Sequence, residues 1–169
     1  MKTGKMRRWN REITDNARIE KILKEETVCH LAMCADDQPY VIPVYFVYED
    51  GYIYVHCAEV GTKLDIIARN DRVCFEVKAS IPEEIITNAG RPCDWGIPYA
   101  SVVGFGTAAV SDDREEKIKA FDLLVDKLHP PGYDTSENLY TEKKITGSRL
   151  IRIRIDSMTG KEFSGHKPL

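Results

Sequence analysis

The sequence predicts a mainly β fold, a small closed or partly closed antiparallel barrel of about six strands with two or three helices. Three observations lead there. Six segments are rich in β-branched and aromatic residues or alternate apolar with polar ones. Several of the links between them are short and turn-forming, and helical patterns are few and lie between strands. Closing such a sheet buries its apolar face and removes its edges, with helices covering the ends.

Thr14 to Glu26 carries Ile19, Ile22 and Leu23 at helical spacing, with Thr14 or Asp15 as the N-cap. Val28 to Ala35 reads as a strand, Val28, His30, Ala32 and Cys34 alternating with Cys29, Leu31 and Met33. After a polar turn at Asp36-Asp37-Gln38-Pro39, Tyr40 to Tyr48 forms a long strand. Pro43 within it has no N–H to give a ladder, so an edge, a bulge or a ligand is expected there. Glu49-Asp50-Gly51 is a hairpin turn into the strand Tyr52 to His56. Thr62 to Asn70 is a short helix with Leu64, Ile67 and Ala68 on one face, followed by the strand Val73 to Val77.

Ile81 to Pro98 is irregular, punctuated by Pro82, Gly90, Pro92, Gly96 and Pro98. Ala100 to Val110 is a strand with Gly104 and Gly106 on one face. Arg114 to Leu128 is an amphipathic helix built on Ile118, Phe121, Leu124, Val125 and Leu128, ended by His129-Pro130-Pro131-Gly132. Leu150 to Ile155 is the last strand. No repeat or low-complexity linker interrupts the 169 residues, so 1–169 is expected to be a single domain.

Composition excludes several function classes. A net charge of -3 argues against a nucleic-acid partner. No apolar run approaches the roughly 20 residues needed to cross a bilayer, and the basic N-terminus has no apolar stretch behind it. Five cysteines, with no CxxC pair, give neither a disulfide framework nor a zinc ribbon, and the four histidines lack metal-ligand spacing. A cytoplasmic protein without a metal or a membrane partner is expected.

The chemistry gathers around Val60-Gly61-Thr62-Lys63-Leu64-Asp65. Thr62 as N-cap and Asp65 as its reciprocal partner would start a helix whose free N–H groups and dipole suit a phosphate. Lys63 would add a full counter-charge, and Gly61 leaves room for close approach. The same residues also suit a plain capped helix with a solvated lysine. His56 and Cys57, at the end of the preceding strand, could face such a ligand. Val41 to Phe46 could form an apolar wall against a flat ring, or simple core. Trp95, in a Pro/Gly-rich loop, either pins that loop or lids a pocket. Ser101 offers a hydroxyl beside the Gly104 and Gly106 positions. A phosphorylated small molecule is the leading ligand class.

In order along the chain, MRRWNREITD, YVIPVYFVY, EDG, YIYVHCA, EVGTK, LDIIARN, RVCFEV, CDWGIPYASVVGFGTA and RIRIDSMTGKE together resemble one family. They are similar to the pyridoxamine 5′-phosphate oxidase-like flavoproteins, in the branch of nitroimidazole-resistance and flavin-nucleotide-binding proteins. The resemblance spans nearly the whole chain. It implies a six-stranded antiparallel split β-barrel, a homodimer, and FMN at two interface sites. Pro43, Val44 and Tyr45 would line the isoalloxazine ring. His56, Cys57 and Ala58 would follow the ribityl chain to a phosphate held by Lys63 at the Thr62 helix start, and Trp95 and Ser101 would reach over from the partner subunit. Cys57 stands where that branch often has Ser, which weakens a hydroxyl contact to the phosphate. The basic residues that grip the phosphate of pyridoxamine phosphate in the true oxidases are not evident, so oxidation of that vitamin is not expected.

The implied activity is an FMN-dependent oxidoreductase that takes electrons from a reduced nicotinamide and passes them to a small acceptor, a nitroaromatic among the candidates. With no GxGxxG fingerprint, the nicotinamide would visit rather than stay. The alternatives are a non-catalytic flavin-binding, storage or sensor module, or a haem- or deazaflavin-binding barrel, with His30, His56 and His166 as axial candidates for haem.

Overall fold

The period-two segments pair through antiparallel ladders into one sheet. In the computed structural model, which describes residues 6–81, 91, 95–131 and 140–164, the strands are β1 (Glu12–Ile13), β2 (Val28–Ala35), β3 (Gln38–Tyr45), β4 (Val47–Glu49), β5 (Tyr52–Ala58), β6 (Arg72–Lys78), β7 (Tyr99–Ser111) and β8 (Ser148–Phe163). Their order is β3-β2-β6-β7-β8-β5-β4, with β1 paired to β8. The mainly β, antiparallel barrel class is as expected, but the described residues form eight strands rather than six. The two-residue β1 is one addition. The other arises because the predicted Tyr40 to Tyr48 strand breaks at Phe46, whose side chain is fully buried and whose N–H donates to the Thr27 carbonyl.

That break closes the barrel. β3 and β4 are the two ends of the sheet, yet a single residue separates them in the chain. Pro43 lies on β3 opposite His30, so its missing N–H falls on a strand laddered on one side only, as the edge expectation required.

The last strand extends well beyond Ile155, to Phe163. Asp156, Ser157 and Thr159 interrupt the apolar alternation, but the 13 residues of β7 pair with β8 throughout. A bulge sits between Phe105 and Gly106, where Ser157 and Ile155 are the partners and Asp156 is the extra residue. Asp156 turns its carboxylate to Arg72 at 2.9 Å and Arg154 at 3.1 Å.

The helices are α1 (Asn16–Glu25), α2 (Thr62–Arg69), α3 (Arg114–Leu128) and the short α4 (Glu142–Thr146), which the sequence pattern did not predict. Asp15, of the two candidates, caps α1 by accepting from the Ala17 N–H at 2.9 Å. α1 drives Ile19, Ile22 and Leu23 into a core shared with Leu31, Phe46, Ile53, Phe75, Val102 and Ile153. α3 lies along the outer wall of β4, β5 and β8, where Val47, Tyr54 and Leu150 meet Ala120. Gly104 exists for packing: a Cβ there would come within 2.2 Å of the fully buried Phe75 ring. Among the described residues, no helix is long and apolar enough to cross a membrane.

Candidate functional site

Where β3 ends and β5 runs toward α2, the chain leaves a cavity of about 350 Å³ lined by Val44, Tyr45, His56, Cys57, Lys63, Leu124 and Leu128. Three separate stretches of sequence meet there. Val44 and Tyr45 form one wall, His56 and Cys57 the second, and Lys63 stands at the start of α2. Leu124 and Leu128, from the last two turns of α3, were not expected at a ligand. Their helical spacing reads as ordinary core, and the only hint was that α3 is apolar to its final residue, where Leu128 is 44% exposed. A neighbouring apolar cavity of about 290 Å³ shares both leucines and adds Phe121 and Tyr140.

The start of α2 differs from its expected form. Gly61, not Thr62, is the N-cap, and no side chain caps the helix. The Gly61 backbone sits at φ 146°, a region that disfavours any side chain, with open space where a Cβ would project. Its carbonyl accepts from the Leu64 and Asp65 N–H groups, and the Thr62 and Lys63 N–H groups have no helical acceptor; with Gly61 as N-cap, Asp65 stands one residue beyond the capping-box position. Lys63 makes no ion pair among the described residues, while the nearby Glu59 is engaged by Arg149 at 3.5 Å. An ammonium without an ion pair and two N–H groups without a helical acceptor thus lie together at a helix start, the kind of groups an anion requires.

The electrostatics agree. His56 packs edge-on against Phe121, ring centroids 4.6 Å apart. Burial, followed by the positive charges of Lys144, Lys117 and Lys63, holds its imidazole below the ordinary histidine value. It is therefore neutral at pH 7, with one ring N–H to give and one nitrogen lone pair to accept. Burial pushes the Cys57 thiol up, against the opposing pull of Lys63 and Arg149, so it stays protonated and is a weak donor rather than a nucleophile.

Of the other predicted residues, Pro43, Ala58 and Thr62 flank the cavity in the chain, are exposed, and do not line it. Trp95, 45% exposed, and Ser101, which pairs across its strands with Lys78 and Lys161, lie elsewhere and join no cavity with Lys63. His30 is outside too, bound to Glu76 at 3.0 Å. Cys93 and His166 lie outside the described residues. No cluster that could hold a metal ion occurs among the described residues.

The family model of pyridoxamine 5′-phosphate oxidase matches residues 15–162, nearly the full set of elements just described. The chain belongs to that family. No curated protein shows significant sequence similarity to this family member. Among solved structures, it is similar to a candidate 5-nitroimidazole antibiotic resistance protein from Bacteroides thetaiotaomicron, at 25% identity and TM-score 0.74, covering 90% of this chain and 86% of that one. An FAD-binding protein from Mesorhizobium loti is 25% identical, with TM-score 0.64, covering 91% of this chain and 98% of the other. The flavocytochrome Anf3 from Azotobacter vinelandii shares the fold at 20% identity and TM-score 0.80, covering 95% and 73% respectively.

Proposed function

We propose that this family member binds FMN and acts as an oxidoreductase, taking electrons from a reduced nicotinamide and passing them to a small acceptor such as a nitroaromatic. The observation that carries the reading is the convergence of Val44, Tyr45, His56, Cys57 and Lys63 on one cavity at an anion-ready helix start. The residues suit the group. An apolar wall of Val44, Tyr45, Leu124 and Leu128 fits a flat ring, and Lys63 with the free α2 N–H groups fits a phosphate. Pro43, Ala58 and Thr62, beside the lining residues in β3, β5 and α2, would meet the ligand only beyond the cavity itself.

Flavin held by these residues would supply the two-electron redox chemistry. The chain itself binds, orients and shields. The α3 leucines keep water from the apolar wall, and neutral His56 offers a proton-holding nitrogen beside it. The thiol of Cys57 can donate only weakly where a hydroxyl would donate well.

The cavity is open, and a second copy of the chain is the proposed cover. Support comes from the outer face of β2 and β3, where Val41 is 63% and Tyr45 65% exposed, with Ala32 and Val28 directly opposite them. Apolar side chains gathered on one exposed face support a contact there. In such a homodimer Trp95 and Ser101 would be contributed across the interface. The described cysteines are all free, which supports a cytoplasmic setting.

A visible spectrum of the purified protein tests the cofactor, separating oxidised flavin from deazaflavin, haem and no chromophore. Anaerobic NADH or NADPH should bleach the flavin, and a nitroaromatic should restore it. Failure to bleach with either donor favours a binding or storage module over an enzyme. Light scattering should report a dimer, and a clean monomer would refute the shared site.

A further inference from the structure

A second cavity, about 860 Å³, lies at the opposite end of β8 from Lys63 and shares no lining residue with the one described above. It is lined from three directions. The segment before α1 brings Arg8, Asn10, Arg11 and Glu12; α1 brings Arg18; and the paired ends of β7 and β8 bring Tyr99, Ala100, Glu162, Phe163 and Ser164. The register Tyr99↔Phe163 places two aromatic rings side by side, 6.3 Å between centroids.

Arg11 is held in place. Its guanidinium lies 3.9 Å from the centroid of the Phe163 ring and 6.0 Å from that of Tyr99, and it donates to the Tyr99 hydroxyl at 3.3 Å. Stacked on one side and tied at one N–H, it keeps further N–H groups to give, in a fork matched to an oxyanion. Arg18 is taken by Glu162 at 3.5 Å. Arg8 and Arg11 make no ion pair with any described residue, and Glu12 is the one remaining carboxylate of the lining. Three guanidiniums against two carboxylates leave one positive charge in a cavity with an aromatic floor. The ammonium of Lys161, 5.9 Å from the Tyr99 ring centroid, adds to it from outside.

We propose that this cavity is a second ligand site, which takes a small organic anion with a planar apolar body and bears its carboxylate or phosphate on Arg8 and Arg11. Flat rings fit beside Tyr99 and Phe163, the charge excess suits a monoanion, and the fixed Arg11 fork lowers the ordering cost of binding. Every residue named in this lining comes from one chain, and none of them lines the Lys63 cavity.

Isothermal titration with benzoate, phenyl phosphate and neutral benzamide tests this, on protein as isolated. Saturable binding of one or both anions, weakened by salt, with benzamide at least about tenfold weaker, is expected. Whichever anion binds better identifies the headgroup. Arg8→Gln, a change at an exposed side chain, should weaken the anion about tenfold or more and leave flavin content unchanged, whereas Lys63→Ala should leave the anion's affinity unchanged. Arg11→Lys keeps the charge but loses the fork and should also weaken binding. Absence of saturable binding by both anions, equal binding of benzamide, or an unchanged affinity in Arg8→Gln would each overturn the assignment.

Discussion

Replacing Lys63 by Ala should move ligand affinity and fold stability in opposite directions. Lys63 is the second residue of α2, where the helix dipole presents positive charge, and no carboxylate among the described residues compensates it. Its ammonium therefore costs about 0.3–1 kcal/mol of stability at a helix start. It also helps to keep His56 neutral. Removing it orphans no buried group, so the melting temperature should hold or rise slightly. A phosphate, by contrast, loses a charge-assisted hydrogen bond of about 1.5–3 kcal/mol, which is about 10- to 150-fold in Kd. The assay is fluorimetric titration of apoprotein with FMN beside thermal unfolding without ligand, and Lys63→Arg should retain most of the affinity. Unchanged FMN affinity would refute the phosphate assignment, and a fall in both quantities would show that Lys63 is structural instead.

Gly104→Ala should destabilise the protein by about 1–3 kcal/mol in denaturant unfolding, because its methyl would stand 2.2 Å from a ring with nowhere to move. Phe75→Leu should recover part of that loss in the double variant, and additive losses would count against the clash. The depressed His56 value makes stability fall as pH drops below its ordinary 6.5, since the unfolded chain then takes up a proton that the folded one refuses. His56→Phe should flatten the decline as pH falls below about 7, measured as a difference from the parent. Lys127 donates to the Leu23 and Phe46 carbonyls, and burial lowers its pKa to about 8 from 10.5. The folded state thus tolerates that charge poorly, the penalty is full below pH 8, and it fades as pH rises toward 10.5. The parent should gain stability relative to Lys127→Met across that window, and parallel profiles would refute the shift.

Much of this was legible because local patterning and tertiary structure agree. The Arg114–Leu128 helix has the bounds its periodicity predicts, and the turn at Asp50-Gly51 joins β4 to β5 as expected. The failures have physical causes. Asp156 breaks the apolar pattern because it is the extra residue of a bulge and holds Arg72 and Arg154, and only pairing with β7 reveals the segment after it as strand. Phe46 looks like one more strand residue, and its burial at a break depends on a non-local closure. The approach of Val44, His56 and Lys63 could be suspected from their chemistry, but Leu124 and Leu128 join them by a docking angle that no local pattern encodes. The Arg8 and Arg11 cavity likewise depends on the meeting of chain segments some 90 residues apart.

The join at Phe46 has a bearing on how a ligand gets in. A sheet whose two margins are consecutive in the chain is a hoop fastened by a covalent clasp rather than by a ladder. Val44 and Tyr45 stand beside that clasp, on a strand laddered to β2 alone. Peeling β3 away from β2 would loosen one wall of the cavity while the β6-β7-β8-β5 ladders stay intact, a local opening well short of global unfolding. Uptake and release of a large, flat ligand would thus be decoupled from the survival of the fold, and the exchange of β3 amides would register occupancy more directly than any melting temperature.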